Sequence, residues 1–261
     1  MLRAGDRYPA DLTGVQASGP VERVEAAGLA ALVSLVPGAE FGAEPLRGNL
    51  NDLAWLERVA RAHEAVLERT LGMSTIVPLR LCTLYESESS VQQMLERERD
   101  SFVEALDALS GRQEWGVKVL VDPDKLAAEA RANSDEAAAL EQELSARGGG
   151  GAYMLRRRLE RHLRELSDAL AREVAEHVHA RLQDWAIDAV TRPPQNRDLS
   201  GHEGEMLLNA AYLVEADRVG ELGDLVAELE AHHSNVGVRV ELTGPWPPYN
   251  FVPGGGAEAI A

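Results

Sequence analysis

The chain has 261 residues, 45% of them hydrophobic, with 26 Lys and Arg against 43 Asp and Glu; this supports one large core or two smaller ones and excludes a disordered polymer. A formal net charge of -17 argues against nucleic acid and anionic membrane surfaces as partners, because both are bound through faces rich in Lys and Arg. The single cysteine, Cys82, excludes an internal disulfide and a multi-cysteine zinc site, and no apolar run approaches the ~18 residues of a membrane span.

The first residues, MLRAGDRYPADLTG, carry charges where a signal peptide needs an apolar stretch, so the expected location is cytoplasmic. Residues 20–38, PVERVEAAGLAALVSLVPG, read as a hairpin of two strands around a turn at Ala27-Gly28, and EFGAEPLRGNLN reads as a loop. Leu53, Leu56, Ala60, His63, Leu67 and Leu71 recur at helical spacing, with Asn51 placed to cap the helix and Gly72 to end it. STIVPLRLCTLY, residues 74–85, reads as a buried strand in which Pro78 marks an edge or bulge and Cys82 is an inert thiol. Ser89 and Gln92 fit a capping box for a second helix running through Val91, Leu95, Phe102, Leu106 and Leu109. EWGVKVLVD supplies a strand with Trp115, Val117, Val119 and Val121 on one face. This order of elements predicts an α+β fold whose N-terminal ferredoxin-like domain covers residues 1–123.

Residues 124–191 predict a helical hairpin. Its first arm carries a thin stripe of Leu126, Ala130, Ala137, Leu140 and Leu144, and the tetraglycine at 148–151 breaks it from the second. In the second arm the seam from Leu155 to Trp185 recurs at ~3.7 residues, which predicts a nearly straight coiled-coil-like arm extending roughly 50 Å, not a regular leucine zipper. Residues 192–204 read as a linker and 253–261 as a flexible tail. Between them, residues 205–252 predict a small ferredoxin-like α/β element: strand EMLLNAAYLVEA, helix DRVGELGDLVAELEAHHSN and strand VGVRVELT, joined as one βαβ unit with a right-handed crossover. Two strands cannot bury both faces, so this unit must pack on the long helices or join another sheet.

No catalytic constellation is legible. His177 and His179, two apart on a helix, face different directions. Glu173 and His177, four apart, read as a solvated pair, His232-His233 as cations suited to a helix C-terminus, and His63 as a core histidine. There is no phosphate loop, no Gly-x-Gly-x-x-Gly and no Gly-x-Ser-x-Gly, so no catalytic residue, metal or cofactor is expected. RRRLERHLRE places Arg156, Arg157, Arg158, Arg161 and Arg164 on the long helix with Glu160 and Glu165 among them. That run is either a solvated, internally paired face or a docking surface for an acidic partner.

The last strand runs into LTGPWPPYNFV, with Gly244, Pro245, Trp246, Pro247, Pro248, Tyr249 and Phe251. Three prolines end a hydrogen-bonded ladder and favour an extended path, with a cis bond feasible at Pro248. Aromatic residues make up only 5% of the chain, so their concentration here needs a packing surface: a seal on the domain core, or a plug offered to another protein. The segment closely resembles the C-terminal signature of gas vesicle accessory proteins of the F and L type. The resemblance extends to LLNAAYLV, to HEAVLERTL with His63, Val66 and Leu67, and to IVPLRLCTLYES with Pro78, Leu79 and Arg80. Two departures accompany it. Arg80-Leu81-Cys82 stands where the family usually reads Arg-Phe-Gly, and only MLRAGDRY precedes the segment resembling PADLTGV, so the place of the first strand is poorly filled.

The resemblance implies a non-enzymatic cytoplasmic protein associated with gas vesicles. It would bind the apolar major shell protein of the GvpA type, and other gas vesicle accessory proteins, and assist assembly in a chaperone-like way. Docking is expected in a groove between the sheets and the long helix, with Trp246, Tyr249 and Phe251 as contacts and Arg156, Arg157 and Arg161 as an electrostatic rim. The alternatives are an adaptor joining other accessory proteins, and a small-molecule-binding enzyme with a pocket around His63, Arg80 and Tyr85.

Overall fold

The computed structural model describes residues 1–15, 19–147, 150–194 and 204–252. It divides into two units, one made of Met1–Glu114 together with Trp246–Ala261 and the other of Trp115–Pro245. It is mixed α and β.

The first unit is built on a three-stranded antiparallel sheet of β1 (Leu2–Arg3), β2 (Val21–Ala26) and β3 (Leu29–Ser34) in the order β1-β3-β2. The expected hairpin is present: Ala26 pairs with Leu29, and Ala27 and Gly28 both take positive φ, 52 and 80. That is the backbone of a two-residue turn whose twist matches its strands. The first strand occupies its place with only two residues. Its outer side is met at one point, where Val77 donates to the carbonyl of Met1 at 2.9 Å and the Met1 amine donates back to the Val77 carbonyl at 2.8 Å. Beyond that exchange residues 75–85 form no ladder, contrary to the strand expected there; Pro78 offers no N–H to continue it.

Two short helices, α1 (Gly38–Phe41) and α2 (Ala43–Asn49), replace the expected loop. They seat Phe41 5.3 Å from the ring of Trp55 in a cluster completed by Val59. Helix α3 (Leu53–Leu71) is capped by Asp52, one residue later than expected, through acceptance from the N–H groups of Ala54 and Trp55. Its buried face is Trp55, Val59, Leu67 and Thr70, while Leu53 is 81% exposed. The predicted second helix is two: α4 (Glu88–Arg97), capped by Ser87 instead of Ser89, and α5 (Arg99–Leu109), separated at Glu98 by backbone outside the helical region. No Gly or Pro marks that break in the sequence.

The second unit holds a four-stranded sheet of β4 (Arg112–Val121), β5 (Asp188–Arg192), β6 (Glu205–Glu215) and β7 (Arg239–Trp246) in the order β5-β6-β4-β7. β4, assigned from sequence to the N-terminal sheet, lies between β6 and β7. The anticipated βαβ unit is therefore split by a strand from earlier in the chain, which answers the need of two strands for further partners. β5 was not anticipated; it pairs antiparallel with β6, Asp188 facing Leu213.

Helices α6 (Pro123–Ala132), α7 (Asp135–Ala146), α8 (Gly150–Trp185) and α9 (Val219–His232) complete the unit. The first arm of the hairpin breaks at Ser134, whose hydroxyl accepts from the N–H of Ala137 and starts α7. α8 runs 36 residues, ~54 Å at 1.5 Å per residue. Its C-terminal half buries Val174, Val178 and Leu182 with Val117 and Val119 of β4 and Leu208, Ala210 and Tyr212 of β6. Its N-terminal half packs Leu159 on Ala137 and Leu140 of α7. The first two glycines of the tetraglycine, most of the linker and the tail lie outside the described residues. No helix among the described residues is long and apolar enough to cross a membrane.

Candidate functional site

The first unit contains a cavity of about 320 Å³ between the sheet, α3, α4 and the segment 76–88. Its floor is apolar because β3 presents Ala31, α3 Val59 and Leu67, and α4 Val91 and Met94, with Ile76 closing one side. Leu35, Leu84 and Tyr85 line it while remaining 73%, 41% and 39% exposed. The segment 79–87 turns sharply at its start: Thr83 donates through its N–H and its hydroxyl to the carbonyl of Arg80, at 3.2 and 2.7 Å. Inside that turn Cys82 takes φ 61, a left-handed backbone that glycine adopts more readily. Burial pushes its thiol pKa up, which removes it as a nucleophile at neutral pH.

His63, Arg80 and Tyr85, the residues around which a small-molecule pocket was anticipated, all line this cavity. His63 Nε2 lies 2.9 Å from the hydroxyl of Tyr249. Burial holds its pKa below the ordinary histidine value, opposed by a hydrogen bond to the backbone of Leu79. The Tyr249 hydroxyl also donates to Glu64 at 3.3 Å, and burial raises both the Glu64 carboxyl and the Tyr249 phenol. His63 is thus a half-buried member of a hydrogen-bonded cluster with Tyr249 and Glu64.

Of the C-terminal segment, Pro247, Pro248 and Val252 are buried, Tyr249 and Phe251 are half-buried, and Trp246 is 42% exposed. Asn250 donates to buried Glu114 twice, from its backbone N–H at 3.1 Å and from its side-chain amide. The cis peptide lies at Gly244-Pro245 and not at Pro248, and β7 continues through it to Trp246 before Pro247 and Pro248 end the ladder.

On α8, Arg156, Arg157 and Arg161 are exposed, and among the described residues Arg156 and Arg161 form no ion pair. Arg158 pairs with Glu136 of α7 at 2.8 Å, and Arg157 stands 5.6 Å from the ring of Tyr153. Tyr153 and Met154 are themselves exposed, so this end of the helix shows apolar as well as basic surface. The interface between the other half of α8 and its sheet is filled by core side chains. His179 turns inward to the Tyr212 hydroxyl at 2.7 Å, away from His177.

The family described as "Gas vesicle synthesis protein GvpL/GvpF" matches residues 2–253. Gas vesicle protein L of Streptomyces sp. (strain CB03234) is 40% identical over 223 residues, covering 85% of this chain and 79% of that protein. Gas vesicle protein F of the same organism is 28% identical over 239 residues, covering 89% of this chain and 88% of that protein. The crystal structure of the gas vesicle protein GvpF from Anabaena sp. PCC7120 superposes with a TM-score of 0.65 at 20% identity, covering 95% of this chain and 92% of that one; GvpF from Microcystis aeruginosa gives 0.62 at 17%. The chain belongs to the gas vesicle GvpL/GvpF family.

Proposed function

We propose that this protein is a non-enzymatic, cytoplasmic escort of the apolar gas vesicle shell subunit of the GvpA type. The observation that carries the reading is the apolar cavity of the first unit, with Leu35, Leu84 and Tyr85 exposed around it. A groove of this character takes an apolar side chain or short helix from a partner whose own surface is insoluble. Trp246 adds exposed aromatic area, and Arg156, Arg157 and Arg161 supply attraction for acidic groups on the partner. The net charge of -17 keeps such a complex in solution. Part of this reading is a ferredoxin-like topology for the second unit, in place of the one expected over residues 1–123; its support is the strand order β5-β6-β4-β7, which interleaves an early strand with a late βαβ unit.

A second reading, a small-molecule ligand in the same cavity, is favoured by His63 and Arg80 in its lining. Co-expression separates the readings. The shell subunit should stay soluble only when this chain is present, and Leu84→Asp with Tyr85→Ser should abolish that effect while leaving the unfolding midpoint unchanged. A shell subunit equally insoluble with and without the chain overturns the escort reading. Capture of other accessory proteins in its place points to an adaptor.

A further inference from the structure

Helices α8 and α9 bring together three histidines that are 56 residues apart in sequence at their widest recorded contact. His177 Nδ1 lies 2.8 Å from His233 Nε2. The ring centroids of His177 and His232, His177 and His233, and His232 and His233 are 5.0, 5.0 and 4.7 Å apart. One ligand nitrogen from each ring falls within 4.8 Å of the other two. Tetrahedral ligands at 2.0–2.1 Å from a zinc ion stand ~3.3 Å apart, so the closest pair must open by about half an ångström and a pair near 4.8 Å must close by up to about 1.5 Å.

We infer that His177, His232 and His233 form a binding site for a divalent transition-metal ion of the zinc class, which ties the C-terminal half of α8 to the end of α9.

The supports are rigid. Val174 and Val178, on either side of His177, are fully buried, as is Leu229 one turn before His233, and all three belong to one core. The N–H of His233 bonds the carbonyl of Leu229 at 3.2 Å, fixing the cap from which its ring projects. Farther along the two helices Arg181 meets Glu228 at 3.3 Å. Consecutive residues inside a helix diverge by about 100°. His232 and His233 converge because the helix ends between them, His233 lying at φ -102, ψ 25. Glu173, one turn before His177, is near enough for its negative charge to act on His233 and favours a cation in the cluster; water would complete the coordination. Three imidazoles suit zinc, nickel and copper, whereas magnesium and calcium prefer oxygen ligands.

The test uses the untagged full chain. Titration with Zn²⁺ should show one tight site per chain, and Co²⁺ should give the visible absorption of a tetrahedral nitrogen site. Zn²⁺ should also raise the thermal unfolding midpoint. His177→Ala and the pair His232→Ala with His233→Ala should each weaken binding at least tenfold and abolish the rise. His162→Ala, whose ring bonds Ser134 in the helical hairpin, should bind as the wild type does. Circular dichroism confirms that each variant is folded; if His177→Ala is not, His233→Ala alone serves. Wild-type affinity no greater than that of the triple histidine variant, or a loss with His162→Ala equal to that with His177→Ala, overturns the inference.

Discussion

The hydroxyl of Tyr249 sits 2.9 Å from Nε2 of His63, and this contact closes a loop of 186 residues. It fixes the C-terminal segment to the helix that also lines the first-unit cavity. Tyr249→Phe removes that hydroxyl from both His63 and Glu64. The expected loss is ~1–2 kcal/mol, because a half-buried imidazole nitrogen then lacks its partner. Trp246→Ala, at an exposed position, should change stability by no more than about 0.5 kcal/mol while weakening capture of the shell subunit. Urea unfolding of the two variants separates the effects.

His63 also predicts a pH dependence. Its folded pKa is held below the ordinary value by burial. Above the unfolded value of about 6.5 both states are neutral and its contribution is complete. As pH falls below that value the unfolded chain takes up the proton first, and stability declines until the folded pKa is passed. Glu64 acts with the opposite sign at lower pH, since its raised pKa makes the native state the better proton acceptor. Unfolding free energies between pH 7.5 and 5.5 should therefore fall. The buried Met1 amine, whose pKa burial lowers to about 5, contributes with the same sign, so His63→Gln should remove only the histidine's share of that decline.

Cys82 occupies a backbone with φ 61, a conformation that glycine adopts more readily. Left-handed backbone costs a non-glycine residue roughly 1–2 kcal/mol, while the thiol returns only part of that through its packing on the Phe41, Trp55 and Val59 cluster. Cys82→Gly should be neutral or stabilising by up to about 1 kcal/mol, and Cys82→Val destabilising by at least about 1 kcal/mol. Thermal unfolding of the pair checks the sign.

Gly237 takes φ 67, and a Cβ there would stand 2.9 Å from Cβ of Asp122 and 2.9 Å from Cδ of Lys125. The lysine end can move, but Asp122 is held as the cap of α6. Gly237→Ala should cost ~1–3 kcal/mol, and Asp122→Ala ~1 kcal/mol through loss of the cap. Equilibrium unfolding of the two single variants tests both.

The elements legible in the sequence are those specified locally. The β2-β3 hairpin follows from two strand-like runs around Ala27-Gly28, α3 from its spacing, and the one-sided face of β4 from Val117, Val119 and Val121. What escaped is set by distant partners. β4 carries no mark of the sheet it joins, and Asp188–Arg192 becomes a strand only because β6 offers an edge. Breaks at Glu98 and Asn133 follow caps weaker than glycine or proline. His63 was legible as a core histidine from its place on an apolar helical face, but its partner at 249 was not. The histidine cluster was read as two unrelated features because the packing of α8 on α9 appears in neither helix alone.

Glu114 is buried, and two of its hydrogen bonds come from Asn250, so the first unit draws on residues at both ends of the sequence with the second inserted between. Cleavage of the chain anywhere within the inserted unit would leave Glu114 and Asn250 on separate pieces, so the first unit depends on the second to keep its two segments covalently joined.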